Sequence, residues 1–92
     1  MNIGLLTFQI VIPHAQSLKD KRHVIRSLRD RLKKFNISFA ECDHQNLWQR
    51  STLGIVAISS SHSILKKTLQ SIENEIENTL NRDLIHTQVE YL

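Results

Sequence analysis

The chain has 92 residues, 40% of them hydrophobic and 23% charged, with a formal net charge of +3. That length sets a single domain, residues 1–92, with a small core. Cys42 is the only cysteine, which excludes an internal disulfide and fits a reducing cytosol; no stretch is apolar enough to span a bilayer.

Residues 2–12 (NIGLLTFQIVI) read as a strand. Leu6, Phe8, Ile10 and Ile12 fall on one face, and Ile3, Leu5 and Val11 make the other partly apolar. The segment lacks the charged start of a signal peptide, and Pro13 ends it. Pro13 to Gln16 is a turn.

Residues 17–35 (SLKDKRHVIRSLRDRLKKF) read as an amphipathic helix. Leu18, Val24, Ile25, Leu28, Leu32 and Phe35 recur at helical spacing and form the core-facing arc. Ser17 is a good N-cap, Asp20 favours the positive end of the helix dipole, and Asn36 is a reasonable stop. Eight of the chain's twelve lysines and arginines lie here. Lys19, Arg22, Arg26, Arg29 and Lys33 make a stripe roughly 80° wide. It extends ~21 Å at 1.5 Å per residue. A solvated helix face accounts for such a stripe, and so does attraction to a polyanion such as RNA. Lys21 falls within the apolar arc and needs either a route to solvent or a partner, for which Asp43 is a candidate.

Residues 37–42 (ISFAEC) form a second strand, and Asp43 to Gln49 a polar loop holding Leu47 and Trp48. Residues 51–59 (STLGIVAIS) are a nearly continuous apolar strand. A second helix covers 63–81, with Leu65, Leu69, Ile72, Ile76 and Leu80 as its core stripe. Residues 84–91 (LIHTQVEY) form the last strand, with Ile85, Val89 and Tyr91 expected on one face.

The order is β-α-β-β-α-β, so the fold class is α+β: a ferredoxin-like βαββαβ domain. The first and third strands are apolar on both faces and belong in the centre. The second and fourth alternate and belong at the edges, giving a four-stranded antiparallel sheet of order 4-1-3-2. Two helices cover only one face of such a sheet. The apolar residues left on the other imply a homodimer, built on that face or on an edge strand.

This topology gathers the turn at Pro13, the start of the basic helix and the 43–50 loop at one end. Lys19, Lys21, Arg22, Trp48, Gln49 and Arg50 can meet there, with His14 and His44 at the margin. Cations at a helix N-terminus suit an anion. Each residue also has a plainer use. Trp48 more commonly plugs a loop onto a helix end than stacks on a base, and Arg50 can tie the hairpin to Asp43 or Asp20. Cys42 and His44, two apart, point the same way on an extended chain. They lack the further ligands of a metal site, and the five histidines show no metal-binding spacing. No catalytic set, metal site or cofactor site emerges. The acylphosphatase use of this fold needs a glycine-rich first loop, and this loop is PHAQS. The RNA-recognition motif needs aromatics on both central strands, and STLGIVAIS has none.

The run IPHAQSLKDKR, a basic helix, and then DHQNLWQRSTLG resembles the YlxP-like family of small bacterial proteins across nearly the whole chain. The usual SLKEKR carries Asp20 here, and the alanine after LWQR is Ser51. The resemblance implies a ferredoxin-like fold and no catalytic residues. It also implies a setting near translation, since members are often encoded beside translation initiation factor two and ribosome-binding factor A. Its most characteristic positions match Ser17, Leu18, Lys19, Lys21, Arg22, Trp48, Gln49 and Arg50.

The resulting expectation is a non-enzymatic cytoplasmic accessory protein that binds RNA or a ribosomal particle. The residues expected to carry it are Lys19, Lys21, Arg22, Arg26, Arg29, Lys33, Trp48, Gln49 and Arg50. The alternative is a site for a small anion or phosphorylated metabolite, binding or weakly hydrolytic, at the Lys19–Arg50 end.

Overall fold

A computed structural model describes all 92 residues. The elements are β1 (Asn2–Val11), α1 (Leu18–Arg31), β2 (Ile37–Asp43), β3 (Arg50–Ser59), α2 (His62–Leu80) and β4 (Leu84–Tyr91), with one 3-10 turn at Asn81–Asp83. The sheet order is β2-β3-β1-β4 and every pairing is antiparallel. This is the ferredoxin-like arrangement, with the two doubly apolar strands in the centre.

β1 and β3 pair without a break from Asn2↔Ser59 to Val11↔Arg50. Leu6, Phe8 and Ile10 on β1 and Leu53 and Ile55 on β3 are fully buried beneath the helices. Leu65, Leu69, Ile72 and Ile76 of α2, with Ile25 and Leu28 of α1, close the core above them. Gly4 lets α2 sit close to β1: a Cβ there would lie 2.5 Å from Leu69 Cδ1.

Ser17 caps α1, its Oγ accepting from Asp20 N at 3.1 Å, while the Asp20 carboxylate accepts from Gln16 N at 2.9 Å. The helix stops at Arg31, four residues short of the expected end. Leu32 and Phe35 keep helical spacing but pack from consecutive turns, in which Phe35 N donates to Leu32 O. The chain must reverse there to enter β2. Ser61 caps α2, its Oγ accepting from Ile64 N at 3.3 Å. Asn81, at φ 51°, ends it.

Both edge strands are bulged. On β4, two residues, His86 and Thr87, face only Phe8 of β1, and His86 takes φ 52°. The bulge inverts the alternation. Val89 and Leu84 turn to the core, opposite Leu6 and Ile10, while Ile85 turns to the open face opposite Gln9. Ile85 therefore does not share a face with Val89 and Tyr91. On β2 the extra residue is Cys42, between the pairs Glu41↔Leu53 and Asp43↔Thr52. His44 follows at φ 62°, so the extended geometry expected to align Cys42 with His44 is absent.

Candidate nucleic-acid interface

α1 presents its stripe as the sequence period dictates. Lys19, Arg22, Arg26 and Arg29 of α1 are all exposed, as is Lys33, which lies not on the helix but in the turn after it. Lys33 pairs with Asp30 at 3.0 Å, one turn back. Lys19, Arg22, Arg26 and Arg29 form no ion pair. The acids of α2 do not reach the stripe: Glu75 pairs with Lys34, outside it, at 3.2 Å.

The stripe lies along the β2 edge of the molecule. The Arg29 guanidinium sits 5.2 Å from the centre of the Phe39 ring on β2. Arg22, Arg26 and Arg29 line a groove with Ile25 and Glu41, and Lys19, Asp20, Arg22, His23 and Arg26 line a second along the outer face of the helix. Three unpaired guanidiniums in a row, one of them stacked, offer directed donors to phosphate oxygens.

The 44–50 loop is built differently. Lys21 is buried, with 1% of its surface exposed. Its ammonium donates to His44 O at 2.7 Å, Gln45 O at 3.2 Å and Arg50 O at 3.3 Å. It also pairs with Glu41 Oε2 at 2.8 Å. Ser51, wholly buried, donates from Oγ to the same carboxylate oxygen at 2.6 Å. The expected route to solvent is therefore not taken, and the partner is Glu41 rather than Asp43. Asp43 instead accepts from its neighbour His44 N at 2.7 Å. An ammonium has three hydrogens, and four acceptors here share them, so Lys21 holds the loop and has none left for a phosphate.

Gln49 is a second tie. Its side chain donates to Pro13 O at 3.3 Å and Ala15 O at 3.1 Å, and its carbonyl accepts from Ile12 N at 2.9 Å. Arg50 donates to Gln9 Oε1 at 3.0 Å across the open sheet face, not to Asp43 or Asp20. The cations of this end thus do not converge on one point.

Trp48 is not a plug. It is 51% exposed, beside Leu47 at 48%, in a shallow depression formed by residues 46–50. An exposed indole on a loop that Lys21 and Gln49 tie to the start of α1 and the turn before it can stack on a base.

Sequence reasoning missed Glu41 and Ser51. The signal was present for Glu41. Ile37, Phe39 and Glu41 share strand parity, which aims the carboxylate inward, towards a lysine already seen in the apolar arc. Ser51 shares that inward parity with Leu53 and Ile55. Its hydroxyl is inaccessible and already donates to a carboxylate, so Ser51 is not placed to attack a substrate. No three His, Cys, Asp or Glu side chains are grouped to hold a metal ion, and no helix is long and apolar enough to cross a membrane.

A family model described as "Protein of unknown function (DUF503)" matches residues 3–89. The uncharacterized protein YlxP of Bacillus subtilis (strain 168) is 39% identical over 87 residues, covering 87% of this chain and 95% of that protein. Among solved structures, a de novo designed ferredoxin-fold protein aligns over 100% of this chain and 83% of its own at 12% identity, with a TM-score of 0.54. The cofactor-independent oxygenase SnoaB of Streptomyces nogalater aligns over 99% and 90% at 9% identity, also with a TM-score of 0.54. At such identities these two show a common fold alone.

Proposed function

The chain belongs to the DUF503 family, in which the Bacillus subtilis protein YlxP is a close relative; from that premise we propose a cytosolic, non-catalytic accessory protein that binds structured RNA, free or within a ribosomal particle, through the outer flank of α1. One observation carries the reading: Lys19, Arg22, Arg26 and Arg29 stand exposed in a continuous row with no carboxylate paired to them. In a solvated helix face designed only for solubility, intrahelical acids commonly offset such a row. Here Asp20 caps the helix and Asp30 holds Lys33; both share surface depressions with Arg26, yet neither forms an ion pair with an arginine of the row.

Phosphate contact at four cations makes affinity steeply salt-dependent. Association weakens about a hundredfold between 50 and 200 mM salt at roughly 0.9 released counterions per contact. Trp48 adds a stacking platform at one end of the row. A small-anion site at the Lys19–Arg50 end gains less support, because Lys21 is saturated and Arg50 points across the sheet.

The test is the triple variant R22E/R26E/R29E, assayed for co-sedimentation with purified bacterial ribosomal subunits and for binding to a structured RNA. Loss of both, with an unchanged circular dichroism spectrum, is the expected result. Retention of association at low salt overturns the proposal.

A further inference from the structure

The face of the sheet opposite the helices has no cover. On β1 it carries Ile3, Leu5, Thr7, Gln9 and Val11; on β3 it carries Arg50, Thr52, Gly54, Val56 and Ile58. Val56 and Ile58 are 41% and 52% exposed, high for β-branched residues on central strands. Ile85 joins this face because of the β4 bulge. The charged residues of the face, Arg50, Asp43 and Glu90, sit at its margins. Arg50 already donates to Gln9. A face without free cations at its centre does not suit RNA, and its occupant is apolar.

We infer that this face is covered by a second copy of the chain, sheet against sheet. Two features select a copy over any other apolar occupant. The first is symmetry. In the unbroken β1–β3 register, Ile3 faces Ile58 and Leu5 faces Val56. A two-fold axis along the β1–β3 seam sets Ile3 over Ile58 of the second copy and Leu5 over its Val56, and the reverse. Apolar residue meets apolar residue at these crossings, as an isologous contact requires, while towards the other end of the seam Gln9 falls over Thr52 and Val11 over Arg50. Thr7 and Gly54, similarly paired, meet at the middle, where the Cys42 side chain already lies over Gly54, 2.9 Å from where a Cβ would stand. The second feature is area. Four strands ~4.8 Å apart and about eight residues long at ~3.3 Å each project to about 500 Å². Two copies then bury on the order of 1,000 Å², the lower limit for a specific dimer, which makes the association concentration-dependent.

The edge strands do not compete for this role. Both are bulged, β2 at Cys42 and β4 at His86, which interrupts the row of backbone groups another strand would need. The contact is independent of the RNA reading, because α1 lies on the far side of the sheet and stays exposed in the dimer.

Sedimentation analysis of the whole chain, with reductant present, tests this from low to high micromolar concentration. The expected particle has twice the chain's 10.7 kDa mass. The V56K/I58K variant is expected to halve that mass with an unchanged circular dichroism spectrum. If it fails to fold, T7K at the centre of the same face gives the same readout. A wild-type monomer at high micromolar concentration overturns the inference. So does a dimer that survives a folded V56K/I58K or T7K variant, since the contact then lies elsewhere.

Discussion

Lys21 and Arg22 are neighbours in sequence with opposite fates. Arg22 stands in solvent on the flank of α1, in a row whose guanidiniums are paired with no acid. Lys21 is buried at the first turn of the same helix, its ammonium shared among three carbonyls and a carboxylate. In sequence both were candidate anion contacts, although Lys21 already stood apart by falling in the apolar arc. The difference shows that cation density alone does not mark an anion site. What matters is how many donors remain free after the fold has taken its share.

The sharpest way to break this comparison is Lys21→Ala. It leaves three loop carbonyls without their donor and the Glu41 carboxylate without its counter-charge, held only by Ser51 Oγ. Removing one partner of a buried ion pair commonly costs 3–5 kcal/mol. Glu41 is 22% exposed and recovers some water, so a loss of about 3 kcal/mol is expected, read from urea denaturation. The intrinsic contribution of the flank to RNA affinity should persist in whatever fraction stays folded. If Lys21→Ala is as stable as the wild type but loses RNA, the two regions have exchanged roles and the comparison fails.

Trp48→Ala acts at the seam between them. With half its surface in solvent, the indole contributes little to the core, and stability should shift by less than about 0.5 kcal/mol. Affinity for structured RNA with an unpaired base should fall by about 1–3 kcal/mol if the ring stacks. A large drop in melting temperature with unchanged affinity would assign Trp48 to the fold instead.

The element order and sheet order were legible because central strands are apolar on two faces and edge strands on one. The start of α1 was legible because Ser17 caps locally; α2, expected from residue 63, begins at His62 behind Ser61. Three features were not, and each depends on a partner distant in sequence. Leu32 and Phe35 kept a helical period although the backbone turns after Arg31, since packing fixes the side chains and not the dihedrals between them. His86 adopts its left-handed conformation without a glycine to announce it. Glu41 could be aimed inward by parity, yet its meeting with Lys21 needs the helix to cross above β2. The exposure of the arginine row was legible from the 3.6-residue period. Its freedom from acids was not, because Glu75 on α2 settles on Lys34 only in three dimensions.

The smallest effect separates two members of the stripe itself. Lys33 donates to Asp30 at 3.0 Å, whereas Arg26 pairs with no carboxylate and lines both grooves. A cation that already has an acid must give it up, or share it, to neutralise a phosphate. Arg26→Ala should therefore lower the slope of log affinity against log salt by about 0.9, the value for one phosphate contact. Lys33→Ala should lower it by clearly less, and its effect on stability should be small, because exposed i,i+3 pairs contribute only about 0.3–0.5 kcal/mol. Binding isotherms at four or five salt concentrations resolve the two slopes. Equal slopes would mean that the Asp30 pair is too weak to matter and that position along the helix, not freedom from acids, decides which cations meet the phosphates.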